Sequence, residues 1–126
     1  MRPPRLVLVG SLLAVAALAL TGCGGGGGGG EAAEVTNGSI DVDAEEYAFD
    51  PKDIETTAGP LEITLIEKGD EEHTLLIEGV DDFKLTVNSG SETDTGTADL
   101  EAGEYEFYCD IGNHRGQGME GVIVVE

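Results

Sequence analysis

The sequence predicts an all-β fold, an antiparallel sandwich or barrel of seven or eight short strands, and three observations predict it. Short runs alternate apolar with polar residues, the period-two signature of a strand with one buried face. Turn-forming residues punctuate those runs at regular intervals. No stretch carries an apolar face at helical spacing.

The runs follow one another closely. Ile40, Val42 and Ala44 alternate with acidic residues, and Tyr47 and Phe49 continue the period up to Asp50-Pro51. Residues 54–57 form the next run, closed by the turn Ala58-Gly59-Pro60. Leu61, Ile63 and Leu65 alternate strongly until Lys68-Gly69-Asp70, after which His73 opens a run that ends at Ile77. Phe83, Leu85 and Val87 make a further alternating strand, residues 93–100 a weaker one, and residues 105–108 and 122–125 two strong ones. The predicted domain covers residues 40–126. Leucine, isoleucine, valine and six Tyr and Phe residues must supply most of its small core.

Upstream of that domain the composition changes. Arg2 and Arg5 precede an apolar stretch, residues 6–20, that is short for a membrane span and right for a secretory segment. Residues 1–22 are read as a lipoprotein signal peptide, because Leu20-Thr21-Gly22-Cys23 resembles a bacterial lipobox in which Cys23 is acylated. An ordinary signal cut near Ala19 or Gly22, or an uncleaved anchor, is the alternative. Residues 23–39, with seven consecutive glycines, read as a flexible tether of about 20 Å mean reach. The expected location is outside the cytoplasm, anchored to the cell membrane.

The chain carries 26 acidic against 6 basic residues, a formal charge of −20 that becomes −22 once Arg2 and Arg5 leave with the signal. Such a surface repels nucleic acid and anionic headgroups and favours a basic docking patch on a partner. Because the carboxylates are spread along the whole domain, solubility in a saline medium explains most of them equally well. A monomer is expected.

The chemistry concentrates in one segment, Cys109-Asp110-Ile111-Gly112-Asn113-His114-Arg115-Gly116-Gln117-Gly118-Met119, spaced Cys-x4-His-x4-Met. His73 is the only other histidine, Met119 the only methionine besides the initiator, and Cys23 belongs to the export signal. Nearly every soft or borderline metal-ligand side chain therefore falls into one set: His73, Cys109, His114 and Met119. Two histidines and a cysteine with a weak axial methionine is the ligand list of a blue-copper electron-transfer site. Thiolate and thioether suit Cu(I) while imidazole suits Cu(II), so a mixed set lets one metal change oxidation state with little movement. Zinc fits two histidines and a cysteine but not the methionine. A lone thiol in an oxidising compartment also argues for a metal, since Cys109 has no disulfide partner once Cys23 is acylated. Gly112, Gly116 and Gly118 are expected to let the loop turn three side chains inward.

These residues resemble the cupredoxin family of blue copper proteins over residues 40–126. The segment Glu106-Phe107-Tyr108-Cys109 through Met119-Glu120-Gly121-Val122-Ile123-Val124-Val125 is similar to the family's ligand loop and last strand. Tyr47-Ala48-Phe49-Asp50-Pro51 leading to Thr57-Ala58-Gly59 is similar to its early strands, and Gly69-Asp70-Glu71-Glu72-His73-Thr74-Leu75 to the segment with its first histidine. The resemblance implies a Greek-key β-sandwich holding one copper, with His73, His114 and Cys109 as ligands and Met119 as the weak axial one. Phe107 and Tyr108 read as core or site-wall residues, and the resemblance implies that one of them shields the metal. Two departures stand out: Gly112-Asn113 where the family often has Pro-Gly, and Thr74 and Asp110 where it often has Asn and Ser or Thr. Thr74 is therefore expected to donate a hydrogen bond to the Asp110 carboxylate, tying the two ligand segments together. Arg115, beside a ligand, reads as a solvated loop residue in preference to a docking contact.

Two functions follow from the set. The first is a one-electron carrier between redox proteins of the cell envelope, with His114 as the port nearest solvent. The alternative is an extracytoplasmic copper-binding protein for delivery or resistance. An enzyme is not expected, since a thiol nucleophile needs a base and an open cleft that so small a domain has little room to build.

Overall fold

The computed structural model describes residues 31–126, so the signal segment, Cys23 and the glycine run lie outside the described residues. Ten strands form two sheets packed face to face: β1 (Ala33–Glu34), β2 (Ser39–Glu45), β3 (Ala48–Asp50), β4 (Asp53–Thr56), β5 (Gly59–Glu67), β6 (His73–Ile77), β7 (Lys84–Val87), β8 (Thr93–Leu100), β9 (Gly103–Tyr108) and β10 (Glu120–Val125). The larger sheet has the order β1-β4-β10-β9-β6-β7 and the smaller β3-β2-β5-β8. The all-β sandwich expected from the alternation is what the chain forms.

Alternation places the core. On β5, Leu61, Ile63 and Leu65 point inward and are fully buried, while Glu62 is exposed. Val42 and Ala44 of β2, Leu75 and Ile77 of β6, Leu85 and Val87 of β7, Phe107 of β9 and Ile123 and Val125 of β10 meet them from both sheets. At about 25 cal/mol per Å², burial of these side chains is the main term that holds the sheets together.

The structure departs from the antiparallel expectation in three pairings. β1 with β4, β4 with β10, and β2 with β5 run parallel. Period-two alternation fixes which face is buried but carries no information on strand direction. Tyr47 and Phe49 do not continue β2; the chain reverses at Glu46-Tyr47 and β3 returns antiparallel, with Ala44 opposite Phe49. Ala33–Glu34, which lie within the stretch read as tether, pair with Ile54–Glu55 as the edge of the larger sheet, and Val35 packs against the core. A two-residue strand is too short to show a period. The weak run at 93–100 is a full strand, paired with β5 at eight positions from Gly59↔Leu100 to Ile66↔Thr93.

Candidate metal centre

Strand ends deliver the ligand residues to one end of the sandwich. His73 is the first residue of β6, Cys109 follows β9 directly, and Met119 directly precedes β10. β9 lies between β6 and β10 in the sheet, so all three strand ends meet. The eleven-residue segment between β9 and β10 is closed at its neck, where the Cys109 amide donates to the Met119 carbonyl at 3.2 Å. Within it the His114 amide donates to Ile111 at 3.0 Å and the Met119 amide to the His114 carbonyl at 3.1 Å. A single 3-10 turn, Arg115–Gln117, returns the chain, and Gly118 ends it at φ 109°, a left-handed conformation costly for any side chain bearing a β-carbon.

His73, Cys109 and His114 each present a ligand atom, and these atoms lie within 4.8 Å of one another. Cys109 Sγ is 3.6 Å from His114 Nδ1, and the two imidazole rings sit 5.3 Å apart at 56°. All are buried: His73 and Met119 at 0% exposure, Cys109 at 1%, His114 at 8%. Both ring nitrogens of His73 lack any hydrogen-bond partner. Burying an imidazole without partners is costly, and a metal ion at this point removes that cost for the ligating nitrogen. The donor set, one thiolate and two imidazoles in a dry pocket beside a thioether-bearing Met119, fits copper better than a hard cation.

The sulfur has a fixed surrounding. Thr74 N–H donates to Cys109 Sγ at 3.5 Å. The Thr74 hydroxyl donates to Asp110 Oδ1 at 2.7 Å and accepts from the Asp110 amide at 3.0 Å, so the expected link between the two ligand segments is present in the expected sense. Its oxygen also lies 3.6 Å from Sγ, but a hydroxyl has one proton and the nearer carboxylate takes it. Lys84 Nζ contacts Asp110 Oδ2 at 2.9 Å, which the sequence reading missed. Lys84 first, then Thr74, holds the Asp110 carboxyl below its usual range against the opposing effect of burial.

A ring of carboxylates faces the two imidazoles from the other side. Glu71 Oε2 lies 3.3 Å from His114 Nε2, and its other oxygen accepts from the Tyr47 hydroxyl at 3.2 Å. That neighbouring negative charge raises the Tyr47 phenol above its usual range. Tyr47 lies 4.6 Å from the His114 ring. It, and not Phe107 or Tyr108, covers the histidine nearest solvent. Phe107 is core, 5.3 Å from Phe49. Tyr108 carries Arg115 on its face at 4.1 Å. Arg115 is no free loop cation: it reaches Glu78, Glu106 and Glu120 at 3.2, 2.7 and 3.0 Å. Glu46 and Glu67 approach His73; the Asp70 and Glu71 amides hold the Glu46 carboxyl below its usual range, while desolvation pushes Glu67 up.

The chain is similar to known proteins in sequence and in fold. Residues 10–125 match a family model described as Cupredoxin-like domain. A 44-residue stretch is 50% identical to a plastocyanin of Nostoc punctiforme, covering 34% of this chain and 30% of that protein's length. Reduced auracyanin from Roseiflexus castenholzii superposes with a TM-score of 0.64 at 18% identity, over 73% of this chain and 99% of that one. Auracyanin A of Chloroflexus aurantiacus, described as a "blue" copper protein, gives 0.60 at 20% identity over 75% and 100%.

Proposed function

The chain belongs to the cupredoxin-like family, and on that premise we propose that it is a type 1 copper protein that carries single electrons between redox proteins of the cell envelope, held to the outer face of a membrane through Cys23. One observation carries the copper reading: a thiol and two imidazoles, all buried, with ligand atoms within 4.8 Å of one another. The plastocyanin match and the auracyanin-like fold support it. Bound copper supplies a couple between Cu(I) and Cu(II). The residues supply the rest. Cys109 enters as a thiolate facing the Thr74 amide, His73 and His114 as neutral imidazoles, and Met119 as a weak fourth donor. His114, at 8% exposure against 0% for His73, is the edge through which electrons enter and leave. The acidic surface, with its cations Lys84 and Arg115 already paired, fits a partner that presents a basic patch. No nucleic acid, no catalytic role and a monomeric state complete the reading.

Adding Cu(II) to the purified protein tests it. An intense visible thiolate-to-copper band and a reversible one-electron couple, with copper retained through repeated cycles, are the expected results. A colourless complex refutes the type 1 site. Ready surrender of copper to a modest competitor supports delivery or resistance instead.

A second expected result concerns the charge beside the sulfur. Asp110→Asn raises the midpoint potential, because a carboxylate near the metal favours Cu(II). Lys84 offsets part of that charge at 2.9 Å, so Lys84→Gln lowers the potential. Voltammetry of the two variants checks the opposed signs; shifts in the same direction count against this account.

A further inference from the structure

Resting on the copper reading and deepening it, we propose that Glu46 and Glu67 are positioning residues that hold His73 as its Nε2–H tautomer, so that Nδ1 is the nitrogen given to the metal and its donor strength toward Cu(II) is raised. His73 is fully buried, and neither ring nitrogen has a hydrogen-bond partner. A neutral imidazole carries one N–H, which must face an acceptor, and one lone pair, which can face a metal. Nε2 lies 3.5 Å from Glu46 Oε1 and 3.9 Å from Glu67 Oε1. These carboxylates and His73 form a second cluster with its atoms within 4.8 Å, apart from Cys109 and His114. Neither distance is that of a formed hydrogen bond, so charge and dipole hold the ring between the two anions.

The strands bring the carboxylates there. The inward face of β2 runs Val42 and Ala44, and the exposed Glu46 follows one step beyond the strand; that of β5 runs Leu61, Ile63, Leu65 and the buried Glu67. Ala44 pairs with Glu67, so both acids cap the same end of the core under His73. Glu46 Oε1 is pinned by the Asp70 and Glu71 amides at 2.6 and 2.9 Å, and Glu67 Oε1 by the Gly69 amide at 2.7 Å. A β-carbon at Gly69 would meet the Glu46 carboxylate, so a side chain there would push that carboxylate from its present position. Glu67 Oε2 is buried and unpartnered. A strand alternation that ends in a buried acid, as that of β5 does at Glu67, loses stability unless the acid faces a donor. The donor in reach is the His73 N–H. A carboxylate behind a ligating histidine fixes its tautomer and strengthens the opposite nitrogen as a ligand.

Nitrogen-resolved NMR of the metal-free, full-length chain reads the tautomer directly, and Glu46→Gln and Glu67→Gln test the electronic effect. Glutamine keeps a carbonyl oxygen for the three backbone amides, so the fold is retained. The proton of His73 is expected on Nε2. Each variant is expected to weaken Cu(II) binding about tenfold relative to Cu(I), a rise of about 59 mV in midpoint potential for one electron. Glu104→Gln, an exposed carboxylate elsewhere on the domain, leaves the potential in place. A proton found on Nδ1 overturns the proposal, as does a potential that is unchanged or lower in both variants. Absence of the thiolate-to-copper band in the unsubstituted chain sinks the copper reading itself, and the metal-free spectrum still decides the tautomer.

Discussion

Cys109→Ser is expected to abolish the visible thiolate-to-copper band and to weaken copper binding by more than the roughly 100-fold that loss of an outer ligand partner reaches. The sulfur is the strongest and softest donor in the cluster, and it stands 3.6 Å from His114 Nδ1 with Thr74 N–H directed at it. A serine hydroxyl stays protonated at neutral pH and is a poor ligand for Cu(I), so the reduced state loses most. The metal-free domain should tolerate the change. The side chain is nearly isosteric and the Thr74 amide still has an oxygen to face. Spectra and copper titration of the variant, beside thermal unfolding without metal, measure both halves. A variant that keeps the intense band removes Cys109 from the site.

Phe107→Ala is the substitution expected to cost the fold most, about 3–5 kcal/mol. Phe107 is wholly buried on β9, packs against Phe49 at 5.3 Å, and lies two residues before Cys109. Domains of this size have only about 5–15 kcal/mol in total, so the variant falls close to the unfolding threshold. The measurement belongs in the metal-free protein, by denaturant titration. Bound copper adds stability by mass action and masks the loss. A cost below about 1 kcal/mol would show that Phe107 is not the keystone between the sheets.

The metal set was legible in the sequence because its residue types are scarce. Among the described residues one thiol, one methionine and two histidines leave few ways to build a soft site, and two strand ends and the loop between β9 and β10 bring ligand atoms of His73, Cys109 and His114 within 4.8 Å. The Thr74–Asp110 link was legible too, since neighbours of two ligands must meet when the ligands do. The surroundings were not. Glu46 and Glu67 were hidden among 26 acidic residues, and only the burial of Glu67 and the approach of both carboxylates to His73 set them apart. Lys84 and Tyr47 reach the site from segments remote in sequence, which spacing cannot reveal. Strand direction was invisible for a related reason. A parallel pairing such as β2 with β5 buries the same alternate residues as an antiparallel one.

The direction of β1 bears on how the domain would hang from a membrane if Cys23 is its anchor. β1 runs parallel to β4, and β4 to β10, whose first residue follows Met119. Ala33 is therefore the end of β1 nearer the pole that bears the thiol and imidazoles. Under the lipid-anchored reading, nine residues separate Cys23 from Ala33, a leash of about 17 Å mean reach. Anchored in that way, so short a leash would draw the redox pole inward, toward partners embedded in or lying on the same bilayer, and lengthening it would free that pole for diffusing ones.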